Sequence, residues 1–315
     1  MTACLSCLCH FDLWKKSFSK RIDGTTAPHM IYLLLAIFGS GVIPVIFRAF
    51  DKFGVNLFWA IPANYVTCVL VGSLLTGNSV GVLSVTAKPW LWLAAVQGIL
   101  LAVNFYLLAQ TAQRAGVALA ALASRLSVAI PSLLAFALYG DSLTAIKLAG
   151  LLTALMALYL CTAPEKGAGG SRLFQLLPLL VFATFGVYFT ILKYLQTYYL
   201  DDSSYHSYVM SAFVFAFLSS IVIGTVKSVF SSADFCLKHI WAGIFLGVVN
   251  YVAVYALLQV LALKGWQSSQ LFPIYSVGVV AVSAVLAVLL FRERLSKQKM
   301  IGLAVGSIAV ALLNY

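Results

Sequence analysis

Charge is what this sequence has least of. Only 9% of its 315 residues are charged, against roughly 25% in a soluble globular domain. Acids are the scarcest: Asp12, Asp23, Asp51, Asp141, Glu165, Asp201, Asp202, Asp234 and Glu293, each in the N-terminal tail or between long apolar runs. With 62% hydrophobic residues, the chain cannot cover itself with water-facing side chains, and a single soluble core stops growing near ~250 to 300 residues. The solvent it calls for is lipid.

Other absences narrow the chemistry. His10, His29, His206 and His239 sit in the tail or at the ends of apolar runs, and with no buried carboxylate beside them they form no acid/base or metal cluster, so an enzyme is not expected. No phosphate-binding glycine loop is present, which excludes ATP as a motor. Cys4, Cys7 and Cys9 crowd the tail, but neither C-x-x-C-H nor a second pair of zinc ligands accompanies them. Neither metal nor cofactor is expected. The 20 Lys and Arg, net charge +11, are scattered one or two per loop without a recognisable nucleic-acid module, so nucleic acid is not an expected partner. They suit topology and anionic headgroups instead. The tail lacks a basic segment ahead of its mildly apolar stretch and does not read as a signal peptide. Met30 opens the first long apolar run and offers an alternative translation start.

What is present is a series of apolar runs bounded by charges, Gly and Pro. They predict an all-α, polytopic chain of ten transmembrane helices at about 30–47, 55–76, 89–111, 117–139, 143–162, 173–196, 205–226, 239–262, 266–291 and 297–315. A helix pairs its own amides, which hydrocarbon demands. The polar stretch 164–171 divides these spans five and five, after an N-terminal tail of residues 1–29, into units 30–163 and 172–315.

The two units carry a repeat. Gly98, Tyr106, Gln110 and Gly116 recur as Gly247, Tyr255, Gln259 and Gly265, and Asp141, Leu143 and Gly150 as Glu293, Leu295 and Gly302. An odd number of spans per copy reverses its orientation, so the expected architecture is two inverted five-helix repeats.

Arg125-Leu126-Ser127-Val128-Ala129-Ile130-Pro131, running on to Tyr139-Gly140-Asp141-Ser142-Leu143 and Gly150, is one segment of note. The other is Leu271-Phe272-Pro273, running on to Leu290-Phe291-Arg292-Glu293-Arg294-Leu295-Ser296 and Gly302. In these segments the chain resembles the drug/metabolite transporter superfamily, in its bacterial EamA-like branch, from about residue 30 to its end. The resemblance implies a multi-pass protein of the plasma (bacterial inner) membrane with a central cavity between the repeats, where a small-molecule metabolite binds during alternating access. It implies no particular substrate. A receptor or assembly subunit that keeps the bundle without transporting is the other reading left open.

Proton-coupled export of cationic drugs relies on an acid embedded in a span, so the missing acids favour a neutral or anionic solute. Arg125 is the deepest ionisable residue, about 12 Å into the fourth span. Burying it costs at least ~2.5 kcal/mol, so it faces a cavity, carbonyls or an anion, unless it snorkels to the headgroups. Lys193, near the end of the sixth span, reads more readily as snorkelling.

Tyr106 and Gln110 share one helix face, as do Tyr251, Tyr255 and Gln259. With Asn104, Asn250, Gln97, Tyr275 and Ser276 they are candidate lining groups. Each could equally serve an interhelical hydrogen bond worth ~0.6 kcal/mol. Gly243 and Gly247 suit a close helix crossing, and Pro44, Pro62, Pro131 and Pro273 interrupt backbone bonding within spans.

Orientation is pulled two ways. Leaving out Arg125 and Lys193, seven Lys and Arg fall on the side of the termini and eleven on the other. The positive-inside rule thus places the termini outside, whereas the resemblance implies cytoplasmic termini.

Overall fold

The computed structural model describes residues 27–76, 88–139, 145–162, 172–200, 204–230, 236–262, 268–293 and 296–313. The Cys4, Cys7 and Cys9 run, the 164–171 stretch, and Asp141, Leu143, Gly265 and Leu295 of the repeat pattern lie outside the described residues. Among the described residues there is no strand. The helices are α1 (Ala27–Lys52), α2 (Leu57–Thr76), α3 (Leu91–Arg114), α4 (Val117–Leu126), α5 (Ala129–Tyr139) and α6 (Ala145–Thr162), then α7 (Arg172–Tyr198), α8 (Tyr205–Phe230), α9 (Leu237–Ala262), α10 (Ser268–Phe291) and α11 (Lys297–Leu313).

Among the described residues, eight apolar helical stretches are long enough to cross a bilayer unaided, and α4 with α5 makes one of them, Val117–Leu134. The other two helices, α6 and α11, have 18 and 17 residues. Eighteen residues rise about 27 Å, close to the ~30 Å of hydrocarbon. The protein is therefore a multi-pass membrane protein, and its described residues are consistent with ten helical spans, of which the fourth is divided.

Its polarity is distributed for lipid. Leu34, Phe38, Leu74, Trp92, Leu152, Val222 and Phe245 point outward, while Asn64, Gln97, Asn104 and Thr111 are fully buried. Water would reverse that arrangement, because apolar area left exposed to it costs about 25 cal/mol per Å².

The helices pack across the two ends of the sequence. α1 lies on α9 and α10, and five spans later α7 lies on α3 and on the divided α4–α5 span. α2 lies on α9 as α8 lies on α3, and α6 lies on α11. Register gives the directions. Ala60 and Asn64 face Gly243 and Gly247, so α2 and α9 run the same way. Gly150 meets Leu312 and Leu313 whereas Gly302 meets Ala157 and Cys161, so α6 and α11 are antiparallel.

Glycine makes the closest crossings possible. A Cβ on Gly247 would come 2.6 Å from the Asn64 carbonyl of α2, and one on Gly98 would come 2.7 Å from the Ala216 amide nitrogen of α8. These backbones touch because no side chain intervenes.

Candidate functional site

The fourth span stops being a helix halfway across. Pro131 has no N–H to offer the Ser127 carbonyl four residues back, and that carbonyl instead accepts the Ile130 N–H at 3.1 Å. The Ser124 hydroxyl donates to the Ala121 carbonyl at 2.8 Å and the Ser127 hydroxyl to the Ser124 carbonyl at 2.6 Å, which draws the chain aside just before the break. Sequence periodicity predicts one helix over 117–139. The structure divides it at Ser127 and Val128.

Arg125 is held in the last turn of α4, at this break. A cation there meets the negative end of the helix dipole. Its guanidinium carbon lies 4.9 Å from the centre of the Tyr275 ring of α10, a cation–π contact. The Tyr275 hydroxyl is 2.7 Å from the Ser40 hydroxyl of α1, so three helices meet at this one point. Arg125 Nε is buried and has no hydrogen-bond partner, and no ion pair to Arg125 occurs among the described residues.

The other candidates divide by whether their polar atoms are already used. Asn104 of α3 is fully buried, and neither end of its amide has a partner among the described residues. The Tyr106 hydroxyl is likewise buried and unpaired, its ring tilted on Phe58 with centroids 5.3 Å apart. Gln97 donates to the Tyr188 carbonyl at 2.9 Å, while its own oxygen is unpaired. By contrast Asn250 donates to Asn64 Oδ1 at 3.2 Å and reaches Cys68 Sγ at 3.5 Å, which ties α9 to α2. Tyr251 is buried and stacks on Tyr255, centroids 6.4 Å apart. Gln110, Tyr255 and Gln259 are half-buried, and Lys193 is exposed near the end of α7. Ser276 is buried beside Tyr275.

Two contacts go beyond what the sequence marks, although Glu293 itself falls in the repeat pattern. Ser40 stands between Gly39 and Gly41, and its partner is 235 residues away. Glu293, just beyond α10, lies at the start of α4. Both of its oxygens are 3.3 Å from the Val117 backbone N–H. Gly116 makes that approach possible: its φ of +113° suits no other residue well, and a Cβ there would sit 3.3 Å from Glu293 Oε2. Burial raises the Glu293 pKa above 4.5, against the opposing pull of the Val117 N–H, Arg48 and Lys299.

The model of the EamA-like transporter family matches residues 173–315, which include Tyr275 and Glu293. That part of the chain is similar to the EamA-like transporter family. The likeness of the chain as a whole reaches further than its EamA-like segment. Over 291 residues, 90% of this chain and 97% of the other, it is 23% identical to an uncharacterized protein of Haemophilus influenzae. A solved structure, titled only as the crystal structure of a protein, matches with a TM-score of 0.56 and 17% identity over 91% of this chain and 96% of that one. At that identity the likeness speaks for the fold alone.

Proposed function

We propose that this protein is a secondary transporter that moves a small neutral or anionic metabolite across the plasma membrane by alternating access. In this reading residues 30–163 and 172–315 are inverted five-helix units, and the solute is held between them. The EamA-like family supports transport in general. The inverted arrangement is supported by helix pairings that recur five spans apart, and by repeat-matched Gly98 and Gly247 each lying at a crossing between the units.

The observation that carries the site is Arg125. A half-buried cation with no ion-pair partner among the described residues is costly, and here it stands at a broken helix, on the seam where α4 of one unit meets α10 of the other. An anionic or strongly polar solute supplies what Arg125 Nε lacks. Asn104 and Tyr106 add hydrogen-bonding atoms that a solute or water must satisfy, because a buried unpaired polar group costs about 1 to 3 kcal/mol. Divided helices are a recurrent way for transporters to bring backbone polarity to a solute at mid-membrane.

The test is counterflow in proteoliposomes with a panel of radiolabelled neutral and anionic metabolites. At least one should exchange, and Arg125→Leu should abolish that exchange or shift its preference while the protein remains folded. A wild-type protein that exchanges nothing across the panel would favour the non-transporting alternative.

A further inference from the structure

A cationic cavity lies at the membrane edge of the bundle. It has a volume of about 200 Å³, and Arg48, Gln113, Arg114, Cys161, Glu293 and Lys299 are among the residues that line it. Three cations thus share it with one carboxylate. The Arg48 guanidinium also lies 3.7 Å from Asp51, but the Asp51 side chain is 58% exposed and such a pair is worth little. Its firmer contact is the Gln113 carbonyl, to which it donates. Gln113 in turn donates to the Phe47 carbonyl at 3.0 Å, which locks the ends of α1 and α3 together. Arg48 is therefore placed by the fold.

The cavity already holds one carboxylate, loosely. Both Glu293 oxygens are 3.3 Å from the Val117 nitrogen, whose N–H they share, beyond the usual 2.7 to 3.2 Å for such a bond. Arg48, Arg114 and Lys299 outnumber Glu293 in the lining, and a net positive lining favours an anionic occupant, such as a carboxylate or a phosphate group.

The cavity also points toward Arg125. Ser40 is eight residues along α1 from Arg48, and Arg125 is eight residues along α4 from Val117, so each helix runs about 12 Å between the two places. On α3, Gln113, Gln110 and Tyr106 follow at spacings of three and four and share one face. Along that face of α3, polar side chains are spaced from the cavity to about the depth of Arg125.

We infer that this cavity is a second anion site, which takes a small carboxylate or phosphate group at the membrane edge on its way to or from Arg125. The relay to Arg125 rests on the transport reading above; the binding itself does not.

The experiment measures thermal stability of the purified full-length protein against inorganic phosphate, with chloride at matched ionic strength as control. It is run in the Arg125→Leu background so that the central site does not respond. Phosphate should stabilise this protein by mass action. Adding Glu293→Gln, which keeps an oxygen for the Val117 N–H, should lower the half-saturating phosphate concentration at least threefold. Adding Lys299→Gln should raise it at least threefold. A parallel arm compares nanodiscs of phosphatidylcholine with nanodiscs containing phosphatidylglycerol. Stabilisation by free phosphate supports a solute site, and stabilisation by phosphatidylglycerol alone supports the same site holding a lipid headgroup. A response no greater than that to chloride, or one indifferent to both Glu293→Gln and Lys299→Gln, overturns the inference. Neither result touches counterflow through the Arg125 site, which stands or falls on its own assay.

Discussion

The Tyr275 hydroxyl meets the Ser40 hydroxyl at 2.7 Å while the Tyr275 ring carries the Arg125 guanidinium on its face. One side chain thus couples α1, α4 and α10, and its two interactions can be separated. Tyr275→Phe keeps the ring and loses one buried hydrogen bond, an expected cost of about 0.6 to 1 kcal/mol. Tyr275→Leu also removes the cation–π contact and is expected to cost about 1 kcal/mol more. Chemical denaturation in detergent measures both. Equal losses would show that Arg125 gains nothing from the ring.

Asn104 gives the sharpest separation of stability from function. Its amide is buried with both ends unpaired, so Asn104→Leu is expected to raise stability by about 1 to 3 kcal/mol while exchange falls. A thermal melt paired with counterflow reads the two effects together. A destabilised variant would mean that the amide has structural partners after all.

Close helix crossings should tolerate no added methyl group. Gly98→Ala and Gly247→Ala place a Cβ within 2.7 and 2.6 Å of backbone atoms of the neighbouring helix, and overpacking of this kind costs about 1 to 3 kcal/mol. At Gly224 the nearest atom to a new Cβ is 3.4 Å away, an ordinary contact, so Gly224→Ala should be neutral within about 0.5 kcal/mol. Melting temperatures of the three variants check the contrast.

Glu293 predicts a pH dependence of definite sign. Its pKa in the folded protein is raised above 4.5, chiefly by burial, so above that pH the unfolded chain gives up this proton first. The folded state then holds more protons, and stability falls as pH rises through the interval from 4.5 to the raised value. Glu293→Gln removes the group from that balance. The variant should therefore gain on wild type as pH increases through the interval, as followed by melting temperature across a pH series. A difference that shrinks with rising pH would contradict the burial argument.

The spans were legible because length and hydropathy alone decide what crosses a bilayer. The second, predicted at 55–76, is Leu57–Thr76, and the fifth, predicted at 143–162, is Ala145–Thr162. The first extends to Lys52 instead of stopping near residue 47, since Arg48 is held by the Gln113 carbonyl and the helix does not end at its charge. The break in the fourth span was half visible: Pro131 marks it, but the serine bonds that set its place depend on rotamers that periodicity does not record. Arg125 stood out by depth. Ser40 could not, since only the packed positions of α1 and α10 reveal its partner. Nor could sequence tell that Asn250 is spent on Asn64 and Cys68 while Asn104 is not, because that depends on how each helix is rotated about its axis.

The way the helices pair sets an order on biosynthesis. Apart from α3 and α4, the helices that cover α1 belong to the later part of the chain, and α10 begins about two hundred residues after α1 ends. At ~5 to 20 residues per second, the ribosome delivers α10 roughly 10 to 40 s after α1 has emerged. Through that interval the Gly39, Ser40 and Gly41 face of α1 waits for its permanent neighbours, and the insertion machinery or passing lipid must shield it until they are made.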